Sequence, residues 1–335
     1  MPKKRANPWY VRVLVVVLCE VVFLPLFAFL LVYHSPFVAL KEKVVVMSMG
    51  TAHNKFFATW FVPQAQVDEI MKRMQSVVDD GNEDVGDITV APVSPEPTVA
   101  QGEPTPTPEP VATVIDIVKP DFKAKLMIIR DPSRVFMEFA PHIGEYGAPL
   151  SDLVVYHKAI GGVNAGGFVD GIGYVNGAVP NGIAIQDGKI LFAQSGLSKY
   201  SVIGFNTDNI LVISNGMTLD QIKAAKLRCA VSFGPALVLN GQPLVKSGGQ
   251  ALEPRTAIAQ KKDGTILLLV IDGRQAGTNG ATYLDEQNLL LEYGAYNAAN
   301  LDGGSSTTMN FLGRTVNSPC DILGERTLAS AVLVR

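Results

Sequence analysis

Apolar residues are concentrated in one long stretch near the start of the chain. From Val13 to Tyr33 the sequence reads VLVVVLCEVVFLPLFAFLLVY, which is long enough to cross about 30 Å of hydrocarbon as a helix. The flanking charges are Lys3, Lys4, Arg5 and Arg12 before the stretch, and Lys41, Glu42 and Lys43 after it. This bias predicts a cytoplasmic tail at 1–12, a transmembrane anchor at 13–33 and an extracytoplasmic remainder.

A cleaved signal peptide is the alternative for the same stretch. Its apolar part is longer than that of a usual signal peptide, and no small-x-small cleavage site follows it, so an uncleaved anchor is favoured. Glu20 lies inside the predicted span, where a carboxylate is costly. We expect it to be protonated or to make a polar contact with another helix.

Polarity rises after the anchor. Residues 34–78 are expected to form a juxtamembrane segment, in which Pro63–Met74 has the opening proline and the apolar spacing of a short amphipathic helix. Residues 79–113 are rich in Pro, Thr and Glu, and such a segment buries too little apolar area to offset the entropy of ordering it. We predict a disordered linker that holds the next domain away from the membrane.

Short apolar runs separated by turn signals dominate residues 114–335 and predict strands. These runs are Leu126–Ile129, Val135–Phe139, Ile183–Ile185, Ile190–Phe192, Val202–Phe205, Ile210–Ile213, Ala236–Leu239, Ile266–Ile271 and Ala331–Val334. Helical spacing is clearest at Thr218–Ala225 and Tyr283–Tyr293. Strands and helices do not alternate regularly, so the pattern favours a β-rich α+β domain with a mixed sheet over a doubly wound parallel sheet.

Charge and cysteine content bear on the partners of the chain and on the redox state of its cysteines. With 28 Lys+Arg against 31 Asp+Glu, the chain lacks the basic excess that concentrates nucleic acid on a protein surface. Cys229 and Cys320 would both lie outside the membrane, where an oxidising environment permits a disulfide. Two free thiols are an equal alternative, because pairing cannot be read from sequence alone.

Glycine is concentrated in two segments, Gly161–Phe168 (GGVNAGGF) and Asn300–Thr308 (NLDGGSSTT). Glycine pairs allow positive φ and close backbone approach, so a row of N–H groups can line an anion site. A phosphate-binding loop is therefore one interpretation, and an ordinary tight turn is the other. Neither segment matches a nucleotide-binding fingerprint.

Two charged motifs lie near predicted strand ends. Glu253–Ala257 (EPRTA) precedes one strand, and Asp272–Arg274 (DGR) ends the run at Leu267–Ile271. Arginine suits a phosphodiester because its planar fork donates two parallel hydrogen bonds to phosphate oxygens; a structural Arg–Asp ion pair is the alternative. The four histidines lie outside these motifs, which gives little support to a Ser-His-Asp triad or a zinc site.

Taken in order, these segments resemble the phosphodiester glycosidase family. The likeness is carried by VNAGGF, VPNGIAIQDGKI, SFGPALVLNGQPL, EPRTAIAQKKDGTILLLVIDGR, GAYNAANLDGGSSTTM and GER, over about residues 120–335. The series RTA, DGR and NLDGGSS is its most specific part. Where relatives commonly read RTAIG, this chain has Ala259 in place of the glycine; packing alone is one explanation of the change, and a difference in the width of the site is the other.

The resemblance implies hydrolysis at an anomeric carbon whose oxygen carries a phosphodiester, which gives a free sugar and a phosphomonoester. We expect no cofactor, assign no metal ligands and leave the metal requirement open. We expect the substrates to be envelope or extracellular glycans. Asp302 and Asp272 are then expected to act at the anomeric centre and its water, and Arg255 to hold the phosphate as it leaves. The residues expected to bind substrate are Asn164, Gly166, Gly167, Arg274, Gly303, Gly304, Ser305 and Ser306. For the two serines a turn-stabilising part is an equal alternative.

Two other functions remain open at this point. A glycan-binding module without catalysis is disfavoured by the joint presence of Arg255, Asp272 and Asp302, since a binder need not keep both carboxylates. A phosphodiesterase that cleaves the P–O bond is not separated by sequence from a glycosidase that cleaves the C–O bond.

Overall fold

The computed structural model describes residues 56–74, 110–171, 174–246, 252–321 and 324–335, together with scattered positions between residues 9 and 45. The chain forms two compact units, Met1–Gln75 and Ser76–Arg335. Most of the predicted anchor at 13–33 and nearly all of the predicted linker at 79–113 lie outside the described residues. In the described part, no helix is both long and apolar enough to cross a membrane.

The helix predicted before the linker is confirmed in the first unit. Helices α1 and α2 span Phe56–Thr59 and Gln64–Met74. The carbonyl of Pro63 accepts a hydrogen bond from the backbone N–H of Val67 at 3.1 Å, as expected for a proline that opens a helix. Val67 and Ile70 are buried, which is the face that the apolar spacing predicts.

The second unit contains a seven-stranded sheet. With strands numbered along the chain, its order is β1-β2-β15-β14-β16-β12-β13. These strands are Thr113–Val118, Lys123–Ile129, Ile266–Ile271, Arg255–Gln260, Asn297–Leu301, Ala236–Leu239 and Gln242–Pro243, respectively.

Two five-stranded sheets and a hairpin complete the described strands. One sheet has the order β10-β9-β11-β7-β8, formed by Leu211–Met217, Tyr200–Asn206, Leu227–Val231, Ile183–Gln186 and Lys189–Ala193. The other has the order β18-β17-β4-β19-β3, formed by Arg314–Thr315, Met309–Phe311, Gly161–Asn164, Ser330–Val334 and Val135–Phe139. The hairpin pairs β5, Phe168–Gly171, with β6, Tyr174–Pro180. Pairings between the described strands are antiparallel.

The main core takes side chains from all three larger sheets. Its buried residues include Met127 and Ile258 from the seven-stranded sheet, Phe205 from the second sheet and Val332 from the third. Burial of these apolar side chains in one cluster is the dominant force that holds the sheets together.

Among the described residues of the second unit, three α-helices accompany the sheets: α3 at Leu150–Tyr156, α4 at Leu219–Ala224 and α5 at Tyr283–Glu292. Both α4 and α5 begin with capping boxes, at Thr218 and Thr282, so the two predicted helices are confirmed. Buried leucines of α5 belong to a core cluster that also contains side chains of β14 and β15. This packing attaches α5 to the sheet that carries the charged motifs.

The expected β-rich α+β domain is confirmed, and each of the nine predicted runs overlaps an observed strand. The first glycine segment differs from the expected loop, because Gly161–Asn164 is a buried strand. A Cβ atom at Gly162 would collide with the carbonyl oxygen of Val332 on the neighbouring strand. Glycine is needed there for close strand packing.

The disulfide that the sequence left open is not formed. Cys229 is a buried free thiol on β11, and Cys320 is a half-buried free thiol in the loop after β18.

Candidate active site

The seven-stranded sheet brings the two charged motifs and the second glycine segment to one edge. Strand β14 lies between β15 and β16 and is antiparallel to both, with Arg255 opposite Ile271 and Thr256 opposite Leu301. The start of β14 therefore meets the ends of both neighbours. Asp272 follows β15 and Asp302 follows β16, so both residues lie at the sheet edge where Arg255 begins its strand.

The turn after β16 depends on its two glycines. Asp302 donates its backbone N–H to the carbonyl of Ala165 at 2.9 Å, and Gly304 donates its own to the carbonyl of Pro254 at 2.9 Å. A Cβ atom at Gly303 would lie 2.8 Å from that same Pro254 oxygen, and Gly304 has a φ of +60°. Both positions therefore need glycine, one for close approach and one for its backbone conformation.

Arg274 reaches this turn from the loop after β15. Its Nη2 atom forms an ion pair with Oε1 of Glu253 at 3.1 Å, and both side chains are 17% exposed. A Cβ atom on Gly304 would stand 3.5 Å from Nη1 of Arg274. The guanidinium group thus lies against the bare backbone of the turn, in a position to meet an anion bound there.

Arg326 reaches the same turn from the C-terminal segment. Its Nη1 atom donates a hydrogen bond to Oγ of Ser305 at 3.1 Å, and its Cζ atom lies 4.9 Å from the ring centre of Phe168. Sequence reasoning missed this residue as part of the site. The signal was present in the closing GER motif, to which no role was assigned.

Arg255 is turned into the protein. It is 6% exposed, its Nε atom donates to the carbonyl of Ala281 at 3.0 Å, and its Cζ atom lies 3.9 Å from the ring centre of Tyr283. These contacts commit one N–H group and one face of the guanidinium group to the interior. The predicted contact between Arg255 and a phosphate stays a prediction.

Glu286, on the first turn of α5, was also missed. Its carboxyl group is fully buried, and within the described residues neither oxygen has a hydrogen-bond partner. Burial raises the pKa of Glu286 to about 8, although the charge of Arg255 acts in the opposite direction. The sequence shows an acidic residue in a first helical turn, which is normally exposed and favourable there, so only the packing of α5 reveals the unusual environment.

Asp272 has a carboxylate held from one side. Its Oδ1 atom accepts hydrogen bonds from Nδ2 of Asn317 and from the backbone N–H of Ser318, both at 3.0 Å. Burial raises the pKa of Asp272, and these two hydrogen bonds partly counteract that effect. Asn317 also donates to the carbonyl of Thr307 at 3.1 Å, so it links Asp272 to the segment that follows the glycine turn.

Asn164 serves as a structural tie in this conformation. It is fully buried, and its Oδ1 atom accepts hydrogen bonds from Oγ1 of Thr256 at 2.8 Å and from the backbone N–H of Thr308 at 3.1 Å. Its Nδ2 atom donates to the carbonyl of Asp302 at 2.5 Å. The side chain joins β4 to β14 and to the glycine turn, and the predicted contact between Asn164 and substrate stays a prediction.

The N–H groups of Gly166 and Gly167 are used inside the protein. Gly166 donates to Oγ of Ser330 at 3.0 Å, and Gly167 donates to the carbonyl of Ser232 at 3.3 Å. A substrate oxygen would have to displace one of these acceptors before either N–H could bind it. In this structure both amides are engaged within the protein, and the predicted contact of Gly166 and Gly167 with substrate stays a prediction.

The two serines of the turn differ in exposure. Ser305 is half-buried beside Arg326, whereas Ser306 is fully buried with an Oγ atom that has no hydrogen-bond partner in the described part of the chain. Within the described residues, no three His, Cys, Asp or Glu side chains are grouped so that they could hold a metal ion.

Residues 157–335, which contain all of these site residues, match the phosphodiester glycosidase family. The chain belongs to this family. The SPbeta prophage-derived protein YomE of Bacillus subtilis (strain 168) is 29% identical over 174 residues, which are 49% of this chain and 26% of YomE. The match thus spans about a quarter of the length of that relative.

Two solved structures share the fold of this phosphodiester glycosidase domain. One is the catalytic domain of zebrafish N-acetylglucosamine-1-phosphodiester alpha-N-acetylglucosaminidase, auto-inhibited by its pro-peptide, with a TM-score of 0.56, 20% identity and coverage of 68% of this chain and 84% of that one. The other is a protein from Burkholderia pseudomallei K96243, with a TM-score of 0.50, 16% identity and coverage of 64% and 74%. At these identities the likeness supports the fold alone.

Proposed function

We propose that this phosphodiester glycosidase hydrolyses sugar-1-phosphodiesters, and that the glycine turn at 302–306 is the centre of its active site. The observation that carries the proposal is the meeting of Asp302, the Gly303-Gly304 pair and the Arg274 guanidinium group at one sheet edge. A carboxylate and an arginine beside a bare backbone turn supply the two groups that the reaction needs.

The reaction forms a bond between a water oxygen and the anomeric carbon and breaks the bond from that carbon to the bridging oxygen. The phosphomonoester leaves with the bridging oxygen and its electron pair. Asp302 is assigned to activate the water or to attack as a nucleophile, and Arg274 to stabilise the charge that develops on the phosphate. A phosphomonoester is a better leaving group than a sugar alkoxide, so a strong general acid is not required.

Asp272 is the second carboxylate in this proposal. Its raised pKa and its hydrogen bonds from Asn317 and Ser318 fit a group that is held in a fixed orientation near the reacting centre. If Asp302 has no part in the chemistry, Asp272 is the next candidate for it, followed by Glu253.

The setting of the reaction is part of the same proposal. We place the domain outside the membrane, tethered by the anchor at 13–33, with substrates among envelope or extracellular glycans. The charge bias around the anchor and the composition of residues 79–113 support this placement. The name of the zebrafish enzyme suggests N-acetylglucosamine-1-phosphodiesters as the first compounds to test.

The test is product analysis in ¹⁸O-labelled water with a panel of sugar-1-phosphodiesters. Label in the hydroxyl of the released sugar supports the glycosidase, because water then attacked carbon. Label in the phosphate would show a phosphodiesterase that cleaves the P–O bond. Binding of glycans without any product would favour the non-catalytic module, with a mock purification that lacks the protein as the control for contaminating activity.

A further inference from the structure

In the closing Gly-Glu-Arg motif, Gly324 and Glu325 stabilise the fold, whereas Arg326 contacts the glycine turn. Glu325 accepts a hydrogen bond from the backbone N–H of Ser151 at 2.9 Å and another from the hydroxyl of Thr315. Gly324 has a φ of +93°, which favours glycine. The first two residues of the motif thus shape and anchor the segment, and Arg326 extends to the glycine turn.

Arg326 is held by two different contacts at that turn. The hydroxyl oxygen of Ser305 accepts a hydrogen bond from Nη1, and the ring centre of Phe168, at the start of β5, lies 4.9 Å from Cζ. An aromatic ring attracts the face of a guanidinium group. It leaves the edge of that group, where the N–H bonds point, directed at acceptors.

We propose that Arg326 and Arg274 hold one phosphate group together at the Gly304–Ser305 turn, and that Phe168 positions Arg326 for this contact. The geometry places the Arg274 guanidinium group against Gly304 and the Arg326 guanidinium group against the adjacent Ser305. The inference rests on the proposed function only in taking the substrate to carry a phosphodiester. Phe168 is a positioning residue, since it acts on the anion through Arg326.

Charge pairing explains why a second arginine is useful. Arg274 is already paired with Glu253 at 3.1 Å, so part of its charge is compensated before any substrate binds. A phosphodiester carries one negative charge, and the leaving phosphomonoester carries more. A second guanidinium group at the turn therefore stabilises the state in which the leaving charge develops.

The experiment measures binding of inorganic phosphate to the full chain, without turnover. Arg326→Gln is expected to weaken phosphate binding about tenfold, because a charge-assisted hydrogen bond is lost. Arg326→Lys should lie between that variant and the wild type. The matched control is Arg314→Gln, since Arg314 is exposed on β18, and it should bind phosphate as the wild type does.

Phe168 is tested by one non-aromatic and one aromatic substitution. Phe168→Leu removes the ring and is expected to weaken phosphate binding about threefold, whereas Phe168→Tyr keeps an aromatic face and should bind as the wild type does. If Phe168 only stabilised the fold, the loss of phosphate affinity in each variant would parallel its loss in melting temperature, which is measured on the same samples. Equal phosphate affinity in Phe168→Leu and Phe168→Tyr would overturn the positioning role.

Phosphate binding and sugar release test the two-arginine site and the proposed function separately. If the wild type hydrolyses sugar-1-phosphodiesters but Arg326→Gln binds phosphate unchanged, the two-arginine site is wrong and the proposed function stands. If phosphate binding depends on Arg326 but no sugar is released from any phosphodiester, the site stands and the proposed function is wrong. Absence of phosphate binding in the wild type would also overturn the two-arginine site.

Discussion

The buried carboxyl group of Glu286 should make the stability of the domain depend on pH. The pKa of Glu286 is about 8 in the folded protein, against 4.5 for an ordinary glutamate. Between these two values the folded protein keeps a proton that the unfolded chain has released. The free energy of unfolding therefore falls as pH rises through this window.

The size of the effect follows from the two pKa values. At about 1.4 kcal/mol for each pH unit, the separation between 4.5 and about 8 corresponds to a loss of about 5 kcal/mol by about pH 9. The contribution of the protonated Glu286 carboxyl group to stability is fully present below pH 4.5 and is lost as pH rises to about 8. This is a large share of the total stability of a typical domain, which is about 5–15 kcal/mol.

Glu286→Gln removes the titrating group and keeps its shape. The protonated carboxyl group and the amide both bury polar atoms without partners, but the amide has a second N–H donor, which adds a cost of about 1–3 kcal/mol at every pH. We therefore expect the variant to be slightly less stable than the wild type near pH 5 and more stable by about 2–4 kcal/mol near pH 9.

Urea unfolding of both proteins across this pH range, followed by the circular dichroism of the β-sheets, measures the effect. Tryptophan fluorescence is unsuitable, since Trp9 and Trp60 both precede the second unit. Glu292→Gln is the control, because Glu292 lies on the same helix α5 and its side chain is 58% exposed. A difference between wild type and Glu286→Gln that stays constant from about pH 5 to about pH 9 would refute the reasoning.

Other properties of the site and the chain can be tested separately. Asp302→Asn should lower kcat by roughly a thousandfold at unchanged melting temperature, and wild-type turnover would remove Asp302 from the mechanism. Arg255→Ala should lower Tm more than Arg255→Lys, since lysine keeps an apolar stem and a cation that can contact the Tyr283 ring, as calorimetry can show. Alkylation of the native protein should modify Cys320 before the buried Cys229, and mass mapping that finds them joined would contradict the free thiols. Protease added to intact cells should cut within 79–113 and release the domain, whereas full protection would argue against the proposed topology.

Much of the fold could be predicted from the sequence because it is encoded locally. Apolar runs between turn residues predict strands, and the nine runs identified in this way all overlap strands. Helical spacing at Thr218–Ala225 and Tyr283–Tyr293 predicts two helices, and both are observed. The glycine turn could likewise be recognised, since positive φ and close approach are properties of a few neighbouring residues.

Which residues form the candidate site depends on strand pairing between segments that are far apart in the sequence. Asp272, Arg255 and Asp302 come together because β14 lies between β15 and β16, and strand register is decided by the packing of whole sheets. The same holds for Arg326, whose contact with Ser305 joins residues 21 positions apart.

Burial determines the environments of two further side chains, Asn164 and Glu286. The sequence predicts Asn164 as a substrate-binding residue in a glycine-rich segment, yet its amide is used to tie three segments together in the interior. The position of Glu286 in a first helical turn is typical of an exposed residue, yet α5 packs with this carboxyl group facing inwards. A residue type sets what a side chain can do, but its solvation and its partners are supplied by residues far away in sequence. The sequence by itself therefore determined the elements and the chemical classes of the site, and the tertiary structure decided which side chains reach it.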